Sequence, residues 1–476
     1  MKIRLFLIVV LVCVSLGAAV GGSQLASASG DITLERSPWR IGNIQRDVEV
    51  SWVSAAFEPR TRQPMAAYYD AALTYFIRAT RLGPNLGNCG DGLAWDCDRV
   101  KPSDDMVGQY SDAANYGDLA GRYYRIGYVY YDDSDLSAPK LFYFACYSER
   151  DNPTGYYCAG VRLLDFSQPS PGTIGSAAAL AFDEDGDEHI VVVRNESEQS
   201  YLIYIHPRAG TTTGTCFSYG GSGDWDCDII VQGPGAAEDP SIVIAADGKP
   251  RIAYYDAANG RLQLAYPSTE EPNCGPSTTW RCVMIDGAEA LQADSETGLF
   301  PSIGLGDALH IAYYDRGLGN LRLASYVGSE GNCGLDWDGE ALVNQWQCET
   351  IDTVGSGLTR MGLELRMDGS YPLVGYMDAD DASTTAVRLA QPAERLGVVG
   401  NCGPAGAWDC QVIDQGEHDL GAELDLVVNT AGGVTLVYLE TPEEIPEEIP
   451  EESETVSLWM AYQIYGGYLP LISRLK

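Results

Sequence analysis

The sequence predicts an all-β fold, a seven-bladed β-propeller of four-stranded antiparallel blades. Three observations carry that expectation. First, a phrase written most clearly as Arg251-Ile252-Ala253-Tyr254-Tyr255-Asp256 recurs: the residue after the aromatic pair is Asp70, Asp132, Arg194, Asp256, Asp315, Asp378 and Glu440, at spacings of 62, 62, 62, 59, 63 and 62. Second, the markers are separated by short β-rich runs with Asp-Gly and Asn-Gly hairpin turns and no helical periodicity. Third, the second run of a unit, such as Ile190-Val191-Val192-Val193 or Ile311-Ala312-Tyr313-Tyr314, is apolar on both sides, so both faces of its sheet must be covered. Radially stacked sheets cover both faces, and seven units lie within the roughly four to eight blades of propellers. A β-solenoid is the architectural rival, but its coils are shorter and lack such hairpins.

At the N-terminus, Lys2 and Arg4 precede an apolar run from Leu5 to Val20 and then Ala26-Ser27-Ala28. This is the layout of a secretory signal peptide, expected over residues 1–28. No later segment approaches twenty apolar residues, so no transmembrane segment is expected after signal removal. The propeller is expected over residues 29–464, as one closed assembly with no separate catalytic module.

The fourth unit shows the blade. Ser241 to Ala246 is an apolar run, Asp247-Gly248-Lys249 a turn, Ile252 to Tyr255 the second run, Asp256 to Gly260 a turn, Leu262 to Tyr266 the third run and Trp280 to Ile285 the fourth. Three copies of the phrase rest on register more than identity: Val192-Val193-Arg194, Tyr376-Met377-Asp378 and Tyr438-Leu439-Glu440.

Of thirteen cysteines, Cys13 lies in the signal segment. The rest form one close pair in each of the first six units: Cys89 with Cys97, Cys146 with Cys158, Cys216 with Cys227, Cys274 with Cys282, Cys333 with Cys348, and Cys402 with Cys410. An even count, a fixed place and an export signal predict local disulfides. Zinc is disfavoured by the absence of C-x-x-C and a total of four histidines. Each bridge closes a loop worth about 3 kcal/mol in the chain-entropy view.

The seventh unit has no cysteine pair and carries a Pro-Glu-Glu-Ile insertion over 440–455, expected to be a disordered acidic loop. Val456 to Ile464 resumes as a strand, and 465–476 is a C-terminal strand or tail. Either Tyr468 to Ile472 or the N-terminal segment Ile32 to Glu35 is expected to close the ring.

The formal charge of −37 becomes −39 without Lys2 and Arg4. Nucleic acid is therefore not an expected partner. The charge favours solubility, cations or basic partners.

The tandem unit, with its hairpin turn, Ile-Ala-Tyr-Tyr-Asp strand and Trp before the last strand, resembles the repeats of secreted bacterial β-propellers of the sialidase-like, or BNR, kind, over about residues 45 to 465. The place of their Asp-box holds Asn88-Cys89-Gly90 and Trp95-Asp96-Cys97. In Gly90-Asp91-Gly92-Leu93-Ala94-Trp95 the Asp is one position off the box. The disulfide is read as the staple instead. The resemblance implies that the loops joining strands two and three and those joining consecutive blades share one face, the binding face, with the cysteine loops opposite.

The recurring acid then opens the binding-face hairpins, with further acids making the clusters Asp132, Asp133 and Asp135, and Asp378, Asp380 and Asp381. Calcium is the hard cation such oxygens would accept, although no cofactor is required; the alternative is that Asp caps each turn. Asp183-Glu184-Asp185-Gly186-Asp187 loosely resembles a calcium loop but aligns with an ordinary hairpin turn. Charges in innermost strands, Glu364 and Arg366 in blade six and Glu423 and Asp425 in blade seven, are costly unless paired, hydrated or functional. They are the candidate catalytic set for glycoside chemistry, with salt bridging between blades as the alternative. His189 and His310 occupy the slot of Arg251, and His206 and His418 have no motif around them. The expected function is recognition of an extracellular glycan or protein by a secreted or cell-surface module. The alternatives are a sialidase-like glycoside hydrolase and a calcium-binding cell-envelope scaffold.

Overall fold

The computed structural model describes residues 39–463 except 49, 58–62, 71–74, 100–108, 118–122, 133–138, 150–155, 168–172, 209, 211, 271, 276–278, 288–295, 338–341, 380–383, 417–418, 430–431 and 442–455. The expected signal segment, the acidic insertion after Thr441, Ile32 to Glu35, His418 and the tail from 465 lie outside the described residues.

Seven antiparallel sheets form the ring, and within each the chain meanders outward from an innermost strand. The innermost strands are Val50–Phe57, Gln109–Gly117, Thr173–Phe182, Glu238–Ile244, Thr297–Leu305, Leu363–Asp368 and Asp419–Val428. Each recurrent phrase is the second strand, buried on both sides; in blade three Ile190, Val191, Val192 and Val193 are all fully buried. The cores lie between blades. One cluster joins Tyr255 and Leu299 to Ala312 and Tyr376, drawing on blades four, five and six.

Of the two ends the sequence left open for closure, the N-terminal one supplies the strand, through Trp39–Val48 rather than Ile32 to Glu35. Trp39–Val48 pairs antiparallel with Val456–Gln463 and forms the outermost strand of blade seven, in the order β1 (Trp39–Val48), Val456–Gln463, Val434–Thr441, Asp419–Val428. This explains why blade seven has no cysteine pair: its third and fourth strands come from opposite ends of the chain, so there is no hairpin to staple. Blade five differs from the four-stranded pattern, because the longest cysteine loop folds an extra edge strand, Cys333–Trp337, against Leu342–Thr353.

Five bridges are formed among the described side chains: Cys89–Cys97, Cys216–Cys227, Cys274–Cys282, Cys333–Cys348 and Cys402–Cys410. Cys146 is disulfide-bonded and stands opposite Cys158 in its register, the Cys158 side chain lying outside the described set. The Asn before the first cysteine belongs to the same staple. Asn273 Oδ1 accepts the Cys282 N–H at 2.7 Å, and Asn273 Nδ2 donates to the Cys282 carbonyl at 2.9 Å. Asn88, Asn332 and Asn401 repeat this, and Thr215 substitutes in blade three. The Gly after the cysteine is required: Gly275 has φ +82°, and a Cβ there would lie 2.4 Å from Trp280 Cδ1.

The tyrosines of the phrase cross the blade seams. Tyr376 donates to Asp352 at 2.6 Å and Tyr438 to Asp414 at 2.6 Å, each acid within the last three residues of the fourth strand of the preceding blade; Tyr313 does the same to Asp286. In blades five and six an Arg of the third strand completes the seam, Arg322 reaching Asp286 at 2.6 Å and Arg388 reaching Asp352 at 3.6 Å. Burial and the neighbouring carboxylate push the Tyr376 and Tyr438 hydroxyls well above the usual phenol range, so they stay protonated donors.

Candidate functional site

The inner strands of all seven blades line a central cavity of about 800 Å³. Because each blade is a meander, its inner strand enters from the face that carries the hairpins between strands two and three. The cysteine loops, between strands three and four, lie on the opposite face.

One inner-strand position recurs in every blade, the residue whose register partner stands three before the marker. It is Ser54, Asp112, Ala179, Ser241, Ser302, Glu364 and Asp425 in blades one to seven. In five blades its side-chain oxygen accepts the N–H one step further along the next inner strand. Ser54 Oγ takes Ala113 at 3.0 Å, Asp112 Oδ2 takes Leu180 at 2.7 Å, Ser241 Oγ takes Ile303 at 3.2 Å, Ser302 Oγ takes Leu365 at 2.9 Å and Asp425 Oδ2 takes Ala55 at 2.6 Å. This is a seam latch, repeated because a ring presents the same seam repeatedly. Ala179 has no oxygen to offer, and Glu364 turns to Arg366 instead.

Three of the four sequence candidates converge on this ring. Arg366 pairs with Glu364 and reaches Asp425 Oδ1 at 3.4 Å. Asp425 also accepts Ser54 Oγ–H at 3.0 Å and the Leu426 N–H at 2.6 Å, so four donors surround one buried carboxylate. Burial raises its pKa, and Arg366 with the hydrogen bonds opposes that rise. Asp112, 3.4 Å from the Ser54 hydroxyl, is pushed up to about 6 by burial and by the Asp425 charge, against two backbone N–H bonds and Arg366. Ser54, Asp112, Ser241 and Ser302 were not singled out in the sequence, because hairpins of unequal length hide their shared position.

Glu423 stands apart, two residues nearer the loop face, where Arg360 approaches it at 3.6 Å. Burial raises its pKa to about 7, Arg360 lowers it and the Asp239 charge raises it. The corresponding positions of blades one, four and five are Trp52, Asp239 and Phe300, all with positive φ (60°, 48° and 52°). The inner strands shift register at this level in blades one, four and five, and in blade seven between Leu420 and Leu424. Bulges of this kind re-aim side chains, here toward the cavity these residues line. Trp52, Phe300 and Arg360 carry no sequence motif; the alignment of Trp52 and Phe300 with Glu423 becomes visible once strand register is known, and Arg360 precedes the inner strand of blade six.

The recurrent acid caps its hairpin in blades four and five. Asp256 Oδ1 accepts the Asn259 N–H at 3.2 Å and Asp315 Oδ1 the Leu318 N–H at 3.0 Å. Asp378 pairs with Arg388 at 2.6 Å. The side chain of Asp132, and Asp133, Asp135, Asp380 and Asp381 altogether, lie outside the described residues. Among the described residues no group of three or more His, Cys, Asp or Glu side chains converges for a metal. Asp183 Oδ1 accepts the N–H groups of Asp185 at 3.0 Å and Asp187 at 2.8 Å, as a turn cap does. His189 bridges Tyr204 and Asp183, and His310 meets Ser325 at 2.9 Å; burial lowers both pKa values, so neutral imidazoles fill the Arg251 slot.

These features define a seven-bladed β-propeller, stapled by disulfides, with a central cavity that charged and apolar side chains line together. No protein-family model matches the chain, and no curated protein matches it. Solved structures similar to it include the Aleuria aurantia lectin in complex with Fucalpha1-6GlcNAc (12% identity, 77% of this chain and 97% of that one, TM-score 0.39). The Penicillium chrysogenum alpha-L-arabinanase complexed with arabinobiose is similar at 11% identity over 88% and 96%, TM-score 0.38. The polysaccharide lyase Uly1 is similar at 11% identity over 94% and 93%, TM-score 0.37. At such identities and scores the likenesses carry no argument about activity.

Proposed function

We propose that this is a secreted or cell-surface recognition module whose central cavity, entered from the loop face, binds an extracellular glycan. The observation that carries this reading is the division of labour along the inner strands. Asp425, Asp112 and the serines of the ring are committed to latching the blades, whereas Glu423, Trp52 and Phe300, two residues nearer the loop face, and Arg360 beside Glu423 line the cavity without that duty. A carboxyl near half-protonation, a guanidinium and aromatic rings at one level provide hydrogen-bonding groups and apolar faces, the mixture that sugar rings require. A protein ligand for the same face, and a calcium-binding envelope scaffold, are the other readings.

A sialidase-like glycoside hydrolase is the second reading, favoured by one observation: Glu423, raised to about 7, is matched to proton transfer near neutrality. Against it, the partner carboxylates Glu364 and Asp425 are held by Arg366 and the seam. The test is a glycan array and a panel of fluorogenic glycosides, run on the oxidised protein and on Arg360→Ala and Glu423→Gln. Glycan binding that weakens about tenfold or more in both variants, with no turnover, is expected. Turnover abolished by Glu423→Gln overturns the binding reading. A calcium-dependent melt with no glycan retained points to the scaffold.

A further inference from the structure

The ring of latches is open at one seam. The amide one residue past the latch position points into the central cavity, and the hairpins fix that direction. In blade four the Ala245 N–H donates to the Lys249 carbonyl at 3.0 Å, which makes Ala245, Val243 and Ser241 the hydrogen-bonded positions against the second strand. The intervening Ile242 N–H therefore turns the other way, toward the cavity. The same count in blade five, from Gly306 and Ala308, turns the Ile303 N–H inward, where Ser241 Oγ accepts it at 3.2 Å.

Six of the seven amides at this level have a side-chain oxygen as acceptor, five from the preceding blade and Leu426 from its own neighbour Asp425. The seventh is Ile242. The residue of blade three at the latch position is Ala179, whose side chain ends at Cβ, and no other side-chain oxygen among the described residues takes the bond. Ile242 is buried, and a buried amide without an acceptor is costly enough to be rare in folded proteins. Ala179, Ser241 and Ile242 all line the cavity, so a partner for this amide arrives through it. Ile242 lies three residues deeper than Asp239, at most about 10 Å along the strand.

The other seams show two kinds of oxygen in this role, hydroxyl and carboxylate. Asp112, Glu364 and Asp425 already stand at this level with one guanidinium, Arg366, and burial and the Asp425 charge raise the pKa of Asp112. A further carboxylate would meet that repulsion, whereas a hydroxyl would not.

From these observations we infer that a hydroxyl of a neutral glycan completes the ring, accepting the Ile242 N–H in the place that serine oxygens take at other seams. The inference rests on the proposed binding of a glycan in this cavity and adds its class and pose. An uncharged terminal sugar enters end-on from the loop face, past Trp52 and Phe300, and acidic sugars are refused. Ala179 determines this specificity, because its missing hydroxyl keeps the amide available.

The test begins with an array of neutral, sialylated and uronic-acid oligosaccharides on the full oxidised chain. The neutral oligosaccharides that the array retains are then titrated into protein carrying ¹⁵N-labelled isoleucine. Ile303, latched by Ser241, is the internal control. Without sugar the Ile242 amide is expected to exchange several-fold faster than that of Ile303, and a retained neutral oligosaccharide should shift and slow it while leaving Ile303 unmoved. Ala179→Ser supplies the missing hydroxyl. It should slow Ile242 exchange in the absence of sugar, raise the melt, and weaken the neutral oligosaccharide about tenfold by taking its hydrogen bond and its place. Neutral binding that leaves the Ile242 amide unmoved, or is indifferent to Ala179→Ser, overturns the inference and leaves the recognition reading standing. An array that retains acidic glycans alone overturns the neutral class, and a blank array removes the recognition reading together with the inference.

Discussion

The seam latch makes a quantitative claim about Asp425, which ties blade seven to blade one where the two ends of the chain meet. Replacing it by alanine removes the acceptor of the Ala55 and Leu426 N–H groups, both on buried residues. The Ser54 hydroxyl can turn to Asp112, 3.4 Å away, and Arg366 keeps Glu364. Two orphaned buried amides cost about 1–3 kcal/mol each, hence about 4 kcal/mol together. Loss of a buried charge returns part of that, leaving about 2–4 kcal/mol. With an unfolding entropy of about 2.1 cal/mol/K per residue, a cooperative ring of this size loses roughly 1 °C per kcal/mol. Calorimetry of the oxidised protein should therefore show Asp425→Ala melting about 2–4 °C below wild type. Ser241→Ala, which orphans one amide, should fall by about half as much. An Asp425→Ala melt within 1 °C of wild type, or equal losses for the two substitutions, would refute the latch.

The raised carboxyls make stability pH-dependent. For Glu423, an acid whose folded pKa of about 7 lies above its unfolded value, the stabilising contribution is complete below about pH 4.5 and is lost as pH rises through 7. Its side chain is 24% exposed, so solvent screening limits the effect to on the order of 2 kcal/mol. Glu423→Gln should thus unfold at higher denaturant than wild type at pH 8 and at about the same point at pH 4; a larger gap at pH 4 would contradict the assignment. Removing one staple, Cys274→Ser with Cys282→Ser, should cost about 3 kcal/mol in urea unfolding. Gly275→Ala should lower the melt as well, since it combines positive φ with collision against Trp280; an unchanged melt would show that the loop repacks freely. Tyr376→Phe leaves Asp352 held by Arg388 and should cost about 1 kcal/mol, read by the same urea titration.

How much of this was legible in the sequence follows from what repeats at constant spacing. The second strands were legible because burial on both sides forces an unbroken apolar run, and the staples because Asn, Cys, Gly, Trp and Cys act within one hairpin. The closing strand also carried a signal. Trp95, Trp225, Trp280 and Trp408 each begin an outermost strand, and Trp39 begins the seventh, facing the last residue of the third strand as the others do. It was missed because a ring that closes through its terminus places that strand 417 residues before its partner Val456, counted from Trp39.

The latch was illegible for another reason. Its residue lies 13 positions before the marker in blade five and 20 in blade two, since the intervening hairpins differ in length, and only hydrogen-bond register restores the alignment. That alignment changes the meaning of the inner-strand charges. Asp425 reads in the sequence as a costly charge in an innermost strand, yet its counterpart in blade four is Ser241, which performs the same task. A closed ring presents the same seam seven times and meets it with this oxygen in five, so oxygen at that position belongs to architecture whatever its charge. What breaks the repetition is then the better pointer to recognition: Glu423, with Arg360 beside it, at the level where other blades place Trp52, Asp239 and Phe300, a level at which the blades present different chemistry to one shared cavity.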